Sequence, residues 1–217
     1  MQIWANTQRA KQQIKDFEAL QGKSEKVMKR IISDARSRVP GWVATEVTKV
    51  YNIKKSEITP SKVGKAAKKA GHVRVTGDTI DSLQIVYTGR VLTPTHFGMT
   101  PRTPRDSYTL KAEIIKGKKS VLGQKKKLTK EQRAALGKNF RRQGQRRSPN
   151  SPIMLMRTGS TYIPFQRKSP NRKDVDAIKT ISMPQMVSSE RTSANINRAI
   201  NEGLEKRIAQ HMKSLEK

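Results

Sequence analysis

Residues 196–212 read INRAINEGLEKRIAQHM, the most clearly periodic stretch of the chain. Its large apolar residues recur every four positions, which places them along one side of an α-helix. They are Ile196, Ile200, Leu204, Ile208 and Met212. The helix is predicted to begin near Pro184. Because the rest of its surface is polar, this apolar stripe must be covered, either by a sheet of the same chain or by a neighbouring subunit.

Two more helices are predicted at the start of the chain. The first covers residues 8–23, where apolar residues share one side. The second begins at Ser24, a residue type that caps the first turn of helices, and follows the helical period to about Asn52. Pro40-Gly41 is expected to interrupt or kink this second helix, because proline lacks a backbone donor and disfavours a helical residue before it.

The period of the pattern changes from helical to alternating at His72, which is typical of β-strands. Strands are predicted around Val73 and Val75, around residues 83–87, along 108–114, and at 153–157 and 161–166. We expect these strands to be antiparallel neighbours. The fold class is therefore α+β: an antiparallel sheet packed by the N-terminal helices and the long C-terminal helix. For residues 54–71 the sequence allows two alternatives, a solvated helix or a tether.

Length and composition limit what this chain can be. Its 217 residues are taken as a single domain, 1–217, and only 34% are hydrophobic and 5% aromatic, so stability is expected to depend on assembly. The absence of cysteine excludes disulfides and thiol chemistry. No apolar run approaches the roughly 20 residues that cross a bilayer, and no signal peptide is recognised. The prediction is a soluble protein without a membrane partner.

The charge is concentrated in one stretch. The chain has a net charge of +29, and residues 116–147 hold thirteen lysines and arginines but one carboxylate, Glu131. Residues 116–150 are therefore interpreted as a basic extended loop, or the tip of a hairpin, inserted in the domain. Such a density of like charge needs a polyanion or an acidic protein surface to offset its repulsion. The alternative is a solvated loop.

Lysine and arginine bind phosphate groups without reading sequence, so this stretch is the predicted nucleic-acid site. Phe140 is its only aromatic residue, which disfavours base stacking and favours contact with the backbone of duplex DNA. The candidate contacts are Lys118, Lys119, Lys125, Lys126, Lys127, Lys130, Arg133, Lys138, Arg141, Arg142, Arg146 and Arg147.

No catalytic constellation is evident. His72, His96 and His211 are scattered, and none has a metal-ligand spacing. Asp78 and Asp81 form a close acidic pair that could hold a cation, although an acidic turn is the simpler interpretation. The prediction is a protein that is not an enzyme, with no cofactor, no metal and no catalytic residue.

Several short segments share an order with a known family. They read MKRIIS at 28–33, YNIKK at 51–55, GRVLTPTHF at 89–97, YTLKAEIIKG at 108–117, MRTG at 156–159, YIPF at 162–165 and ISMPQM at 181–186. In this order they resemble the minor tail protein Z family, the tail completion proteins of long-tailed bacteriophages. The stretch 118–149 departs from the family pattern, because it is longer and more basic than the usual connection.

The resemblance implies a structural virion protein of the tail and neck, assembled in the host cytoplasm. It implies a homo-oligomeric ring of six at the head-proximal end of the tail, next to tail terminator, tail tube and head–tail connector proteins, with genomic double-stranded DNA in its lumen. In such a ring the apolar stripe of 196–212 is the predicted subunit interface. The alternative is a free, non-specific nucleic-acid-binding protein, nucleoid or ribosome-associated.

Overall fold

The chain contains helices and short antiparallel strands in a computed structural model, which describes residues 2–3, 24–59, 72–77, 82, 84–125, 129, 131, 153–167 and 174–213. In chain order the elements are β1 (Gln2–Ile3), α1 (Ser24–Val50), α2 (Lys55–Ile58), β2 (His72–Thr76), β3 (Gln84–Thr88), a 3₁₀ turn (Pro94–His96), β4 (Tyr108–Ile115), β5 (Lys118–Lys125), β6 (Ile153–Thr158), β7 (Thr161–Arg167), β8 (Val175–Ala177), α3 (Met183–Ser188) and α4 (Glu190–Lys213). The α+β class is confirmed.

The chain divides into two compact units. Unit 1 contains Met1–Val50, Lys54–Arg90 and Ser182–Lys217, and unit 2 contains Tyr51–Ile53 and Val91–Ile181. The prediction of one domain over 1–217 stays a prediction. The helix predicted at 8–23 lies outside the described residues, as do 60–71.

Helix α1 runs without interruption from Ser24 to Val50, with Pro40 inside it. Of the two effects predicted for Pro40-Gly41, the interruption is therefore wrong, and the kink stays a prediction. The residues on either side explain the continuity, because Val39 and Val43 are each only 1% exposed. Burial of these side chains in unit 1 holds the backbone helical where proline removes one hydrogen bond.

The C-terminal helical region begins at Met183, close to the predicted Pro184, but it forms two helices instead of one. A capping box starts α3: the Ser182 backbone N–H donates to Gln185 Oε1 at 2.9 Å, and Ser182 Oγ accepts from the Gln185 N–H. Ser189 is extended, with φ −66° and ψ 146°, and separates α3 from α4. The buried Thr192 hydroxyl donates to the Met186 carbonyl at 2.6 Å and so ties the two helices together.

The apolar stripe of α4 is part of the core of unit 1. Its first four members are between 1% and 7% exposed, and Ile208 packs with Val27 and Ile31 of α1, beside Met28 and Met212. Helices α1 and α4 are antiparallel neighbours. Four residues of the predicted subunit interface, Ile196, Ile200, Leu204 and Ile208, are therefore buried within one chain, and the fifth, Met212, is partly buried. The subunit interface itself stays a prediction.

The strands form three small antiparallel sheets, ordered β1-β3-β2, β4-β5 and β6-β7-β8, instead of the expected single sheet. Two local pairings explain why β4 has no further strand beside it. Thr100 exchanges two backbone hydrogen bonds with Lys111 at 2.9 Å, and Tyr51 forms a bridge with Ile115. These irregular segments occupy the edge of β4 that lies away from β5.

Candidate nucleic-acid interface

The first part of the basic stretch is a β-hairpin. Strands β4 and β5 are joined by Lys116 and Gly117, with Ile115 paired to Lys118. Gly117 has φ +77°, a conformation that glycine adopts without steric penalty. Its N–H donates to Glu113 Oε1 at 2.8 Å, which secures the turn. Residues 118–125 are therefore a strand of a hairpin, where the sequence predicted an extended loop or the tip of a hairpin.

The inner face of this hairpin is fixed to the rest of unit 2. Tyr108 and Leu110 are buried in a cluster with Met99, Ile153 and Leu155. The Tyr108 hydroxyl donates to the Ile153 carbonyl at 3.1 Å, and burial raises the pKa of this phenol. The hairpin is thus attached to strand β6 by apolar packing and a buried hydrogen bond, which gives its outer face a defined position.

The outer face, the turn and the first residue of β5 carry exposed cations. Lys111, Lys116, Lys118 and Lys119 are all exposed, and none of them forms a salt bridge with a residue that the structure describes. The one carboxylate within the hairpin, that of Glu113, accepts the turn amide instead. These four ammonium groups are therefore available to an anionic ligand.

The loop before β4 adds two arginines that the sequence interpretation missed. Arg102 and Arg105 are exposed, and the Lys125 ammonium donates to the Arg105 carbonyl at 3.1 Å. The same ammonium lies 5.8 Å from the centre of the Tyr108 ring, within the range of a cation–π contact. The end of β5 thereby holds the loop beside the hairpin. The basic, proline-containing sequence PRTPR at 101–105 was the available signal.

The structure brings together three of the twelve predicted nucleic-acid contacts, since Lys118, Lys119 and Lys125 all belong to β5. The other nine lie outside the described residues: Lys126, Lys127, Lys130, Arg133, Lys138, Arg141, Arg142, Arg146 and Arg147. Those nine stay predictions.

Unit 2 is the more basic of the two units for its size. It holds 22 of the 46 lysines and arginines of the chain but five of its 17 acidic residues, a net charge of +17. A field of this strength attracts polyanions and accelerates their association at low salt.

Unit 1 contains a separate polar cluster between α1 and α4. The Asp34 carboxylate accepts from Arg38 Nε at 3.3 Å, lies 3.0 Å from His211 Nε2, and is 3.7 Å from Arg207 Nε. Burial acts to raise the pKa of Asp34, but the hydrogen bonds from His211 and Arg38 and the charges of Arg38 and Arg207 outweigh it, so the pKa is lowered. These polar contacts link α1 to α4.

Beside that cluster, α1 and α4 border an open groove of about 410 Å³. Trp42, Ala199 and Gly203 contribute to its lining, and the charged side chains around it have mixed sign. The Glu46 carboxylate is already 2.6 Å from the Lys49 ammonium. The groove therefore lacks the excess of one charge that the hairpin shows.

Within the described ranges, no group of three or more histidine and acidic side chains could hold a metal ion. His96 lies in the 3₁₀ turn, His211 contacts Asp34, and Asp78 and Asp81 lie outside the described residues. None of the helices in the described part of the chain has the length and apolar character needed to span a bilayer.

Comparison with known proteins yields no relative. No protein-family model matches the chain, and neither a curated protein nor a solved structure matches it significantly.

Proposed function

We propose that this chain is a structural protein of a bacteriophage virion that completes the tail at the head–tail junction. In this proposal, copies of the chain form a ring through which genomic DNA passes, and the basic hairpin with the stretch that follows it contacts that DNA or acidic neighbouring proteins. The protein has a binding and assembly role and is not an enzyme. The proposal rests on the resemblance to the minor tail protein Z family and on the charge of unit 2.

The proposal depends mainly on the exposed lysines of the hairpin, which form no salt bridge with a described residue. The inner face of this hairpin packs against the rest of unit 2. Lys111 and Lys119 project from the face of the hairpin opposite its packed side, and Lys116 and Lys118 are exposed at the turn and beside it. Contacts of lysine with phosphate groups are independent of base sequence, so they can hold DNA without arresting its passage. This property suits a channel that the whole genome must traverse.

The segments behind the family resemblance coincide with turns and a helix start. Gly117 and Gly159 occupy the turns of two hairpins with φ +77° and +62°, and Ser182 with Pro184 begins α3. In each case the residue type has a local structural reason. The resembling segments therefore mark the framework of the fold.

Electron microscopy of phage particles with this subunit labelled tests the proposal. We expect label at the head-proximal end of the tail and closed rings from the purified protein. A protein that forms no closed ring and is located away from the junction would contradict the proposal.

The same unpaired lysines also favour a second function, that of a free non-specific nucleic-acid-binding protein. A DNA-binding series in increasing salt separates the two. Tight, stoichiometric binding by dispersed monomers supports the second function, whereas binding that depends on ring formation supports the first.

A further inference from the structure

Strand β5 has an outer edge that no described residue pairs with. On its inner side β5 is hydrogen-bonded to β4, and none of the backbone hydrogen bonds between described residues reaches its other side. The strand is eight residues long, from Lys118 to Lys125. The pairing with β4 shifts register between Leu110 and Lys111 and between Ala112 and Ile115, so the outward row of backbone donors and acceptors is regular only around Val121. Another strand can bind to such an exposed edge.

The pairing of β5 with β4 shows which backbone groups of β5 point outward. Val121 is paired with Lys111, and the N–H and C=O of Lys111 are both bonded to Thr100 on the opposite side of β4. In an antiparallel pair, a residue whose partner turns its backbone groups away belongs to a non-hydrogen-bonded pair. The N–H and C=O of Val121 therefore point away from β4, toward the outer edge.

The side chain at the same position is the most exposed large apolar side chain in the described part of the chain. Val121 is 57% exposed, and the exposed Lys111 is its cross-strand partner on the same face. Lys119, two residues earlier in β5, is also exposed and shares that face. One position thus combines an outward N–H and C=O with an exposed valine, and lysines stand beside it.

From this arrangement we propose that the outer edge of β5 binds an extended acidic segment of another protein by strand addition. A strand laid along this edge would exchange two backbone hydrogen bonds with Val121, cover its side chain and place carboxylates near Lys119 and Lys111. The proposal concerns the edge of unit 2 and does not depend on a virion location.

The same observations discriminate against other occupants. A nucleic acid would use the lysines but would leave the outward backbone groups and the Val121 side chain in water. A second copy of β5, paired antiparallel about Val121, would place Lys119 opposite Gly123 and Lys118 opposite Gln124, and it would bring no carboxylate to offset the lysines. An acidic strand would hydrogen-bond to the outward backbone groups of Val121, cover its side chain and offset the charge of the lysines.

The test uses the full-length protein and the peptide Thr-Glu-Thr-Val-Thr-Glu-Thr, whose valine and glutamates share one face when it is extended. We expect NMR titration to show binding by the wild-type protein and none by a control peptide with lysine in place of glutamate. Val121→Pro removes the outward N–H without removing a bond to β4, a substitution that edge strands tolerate. It should weaken binding about tenfold or more, which is about 1.4 kcal/mol.

Val121→Thr, which keeps the N–H and the β-branched shape, is the matched control and should stay within about threefold of wild type. A second readout on the wild-type protein is the hydrogen exchange of the Val121 amide, which the peptide should slow, so the test does not rely on the folding of the proline variant. Equal peptide binding by wild type and Val121→Pro, or unchanged exchange at Val121 on saturation, overturns strand addition.

DNA binding is measured in the same variants. It should be unaffected by Val121→Pro, so a failure of the proposed DNA contact and a failure of strand addition give different results. Hydrogen exchange of the Val121 amide that slows with increasing protein concentration in the absence of peptide would assign the edge to a second copy and overturn the proposal.

Discussion

The indole of Trp42 in α1 lies directly against Gly203 in α4. A Cβ built at Gly203 would stand 2.5 Å from Cη2 of Trp42, with the neighbouring ring atoms at 2.6 and 2.7 Å. Real Cβ contacts are longer than this, so any side chain at position 203 would have to displace the ring. Glycine is required here by the closeness of the two helices, and not by backbone conformation.

Gly203→Ala should therefore destabilise the protein by about 1–2 kcal/mol, because overpacking costs about 1–3 kcal/mol and the higher helix propensity of alanine recovers at most about 1 kcal/mol. Urea denaturation measures the change. In a Trp42→Ala background the same substitution should become neutral or stabilising by up to about 1 kcal/mol. Equal effects in the two backgrounds would show that the indole does not limit this site.

Stability at acidic pH should depend on Asp34. The pKa of this carboxyl is lowered in the folded protein from its ordinary value of 3.8. A lowered folded pKa adds stability that is fully present above the unfolded value and is lost as the pH falls through the folded value. The difference in free energy of unfolding between wild type and Asp34→Asn should thus shrink as the pH is lowered from about 5 toward 2.

Chemical denaturation across that pH range provides the measurement, and Ile196→Ala serves as the control, since its effect involves no titrating group. A difference for Asp34→Asn that is unchanged at the lowest pH at which the protein still folds would contradict the contacts with Arg38, Arg207 and His211.

The apolar stripe of α4 should behave as a core of one chain. Ile196 is 1% exposed, and Ile196→Ala should lower the free energy of unfolding by about 2–5 kcal/mol. The loss should be the same at protein concentrations tenfold apart. Lys206→Ala, on an exposed part of the same helix, should change stability by less than about 0.5 kcal/mol. A loss of stability that depends on protein concentration would show that the stripe is buried between subunits.

The exposed lysines of the hairpin should contribute to DNA binding through counterion release. Replacing Lys118 and Lys119 with alanine should reduce the steepness of log K against log salt by about 0.9 for each lysine that contacts a phosphate. Filter binding over a salt series measures the slope. Lys49→Ala removes an ammonium that is paired with Glu46, outside unit 2, and should leave the slope unchanged. Equal slopes for all three proteins would exclude the hairpin from the DNA contact.

Local patterns accounted for much of the architecture. The alternation at Tyr108, Leu110 and Ala112 predicted β4 and its buried face, and the turn at Gly159 joins two strands as expected. Ser182 and Pro184 mark a helix start. These features depend on residues within a few positions of one another, whose conformational preferences act before any distant contact forms.

Other features required the folded chain. The basic character of residues 116–147 is visible in composition, but the placement of Arg105 beside Lys125, twenty residues later, is not. The outward backbone of Val121 depends on Thr100 pairing with Lys111, which no local periodicity encodes. The continuity of α1 through Pro40 likewise depends on buried neighbours.

The sequence by itself determined the α+β class, the positions of most helices and strands, and the excess of positive charge, because each follows from residue type and short-range spacing. Only the tertiary structure decided that the α4 stripe packs on α1, that the strands separate into three sheets, and that β5 presents an unpaired edge. Those outcomes follow from contacts between residues far apart in the chain, such as Val27 with Ile208, and a periodic pattern specifies that a face is buried but not which partner buries it.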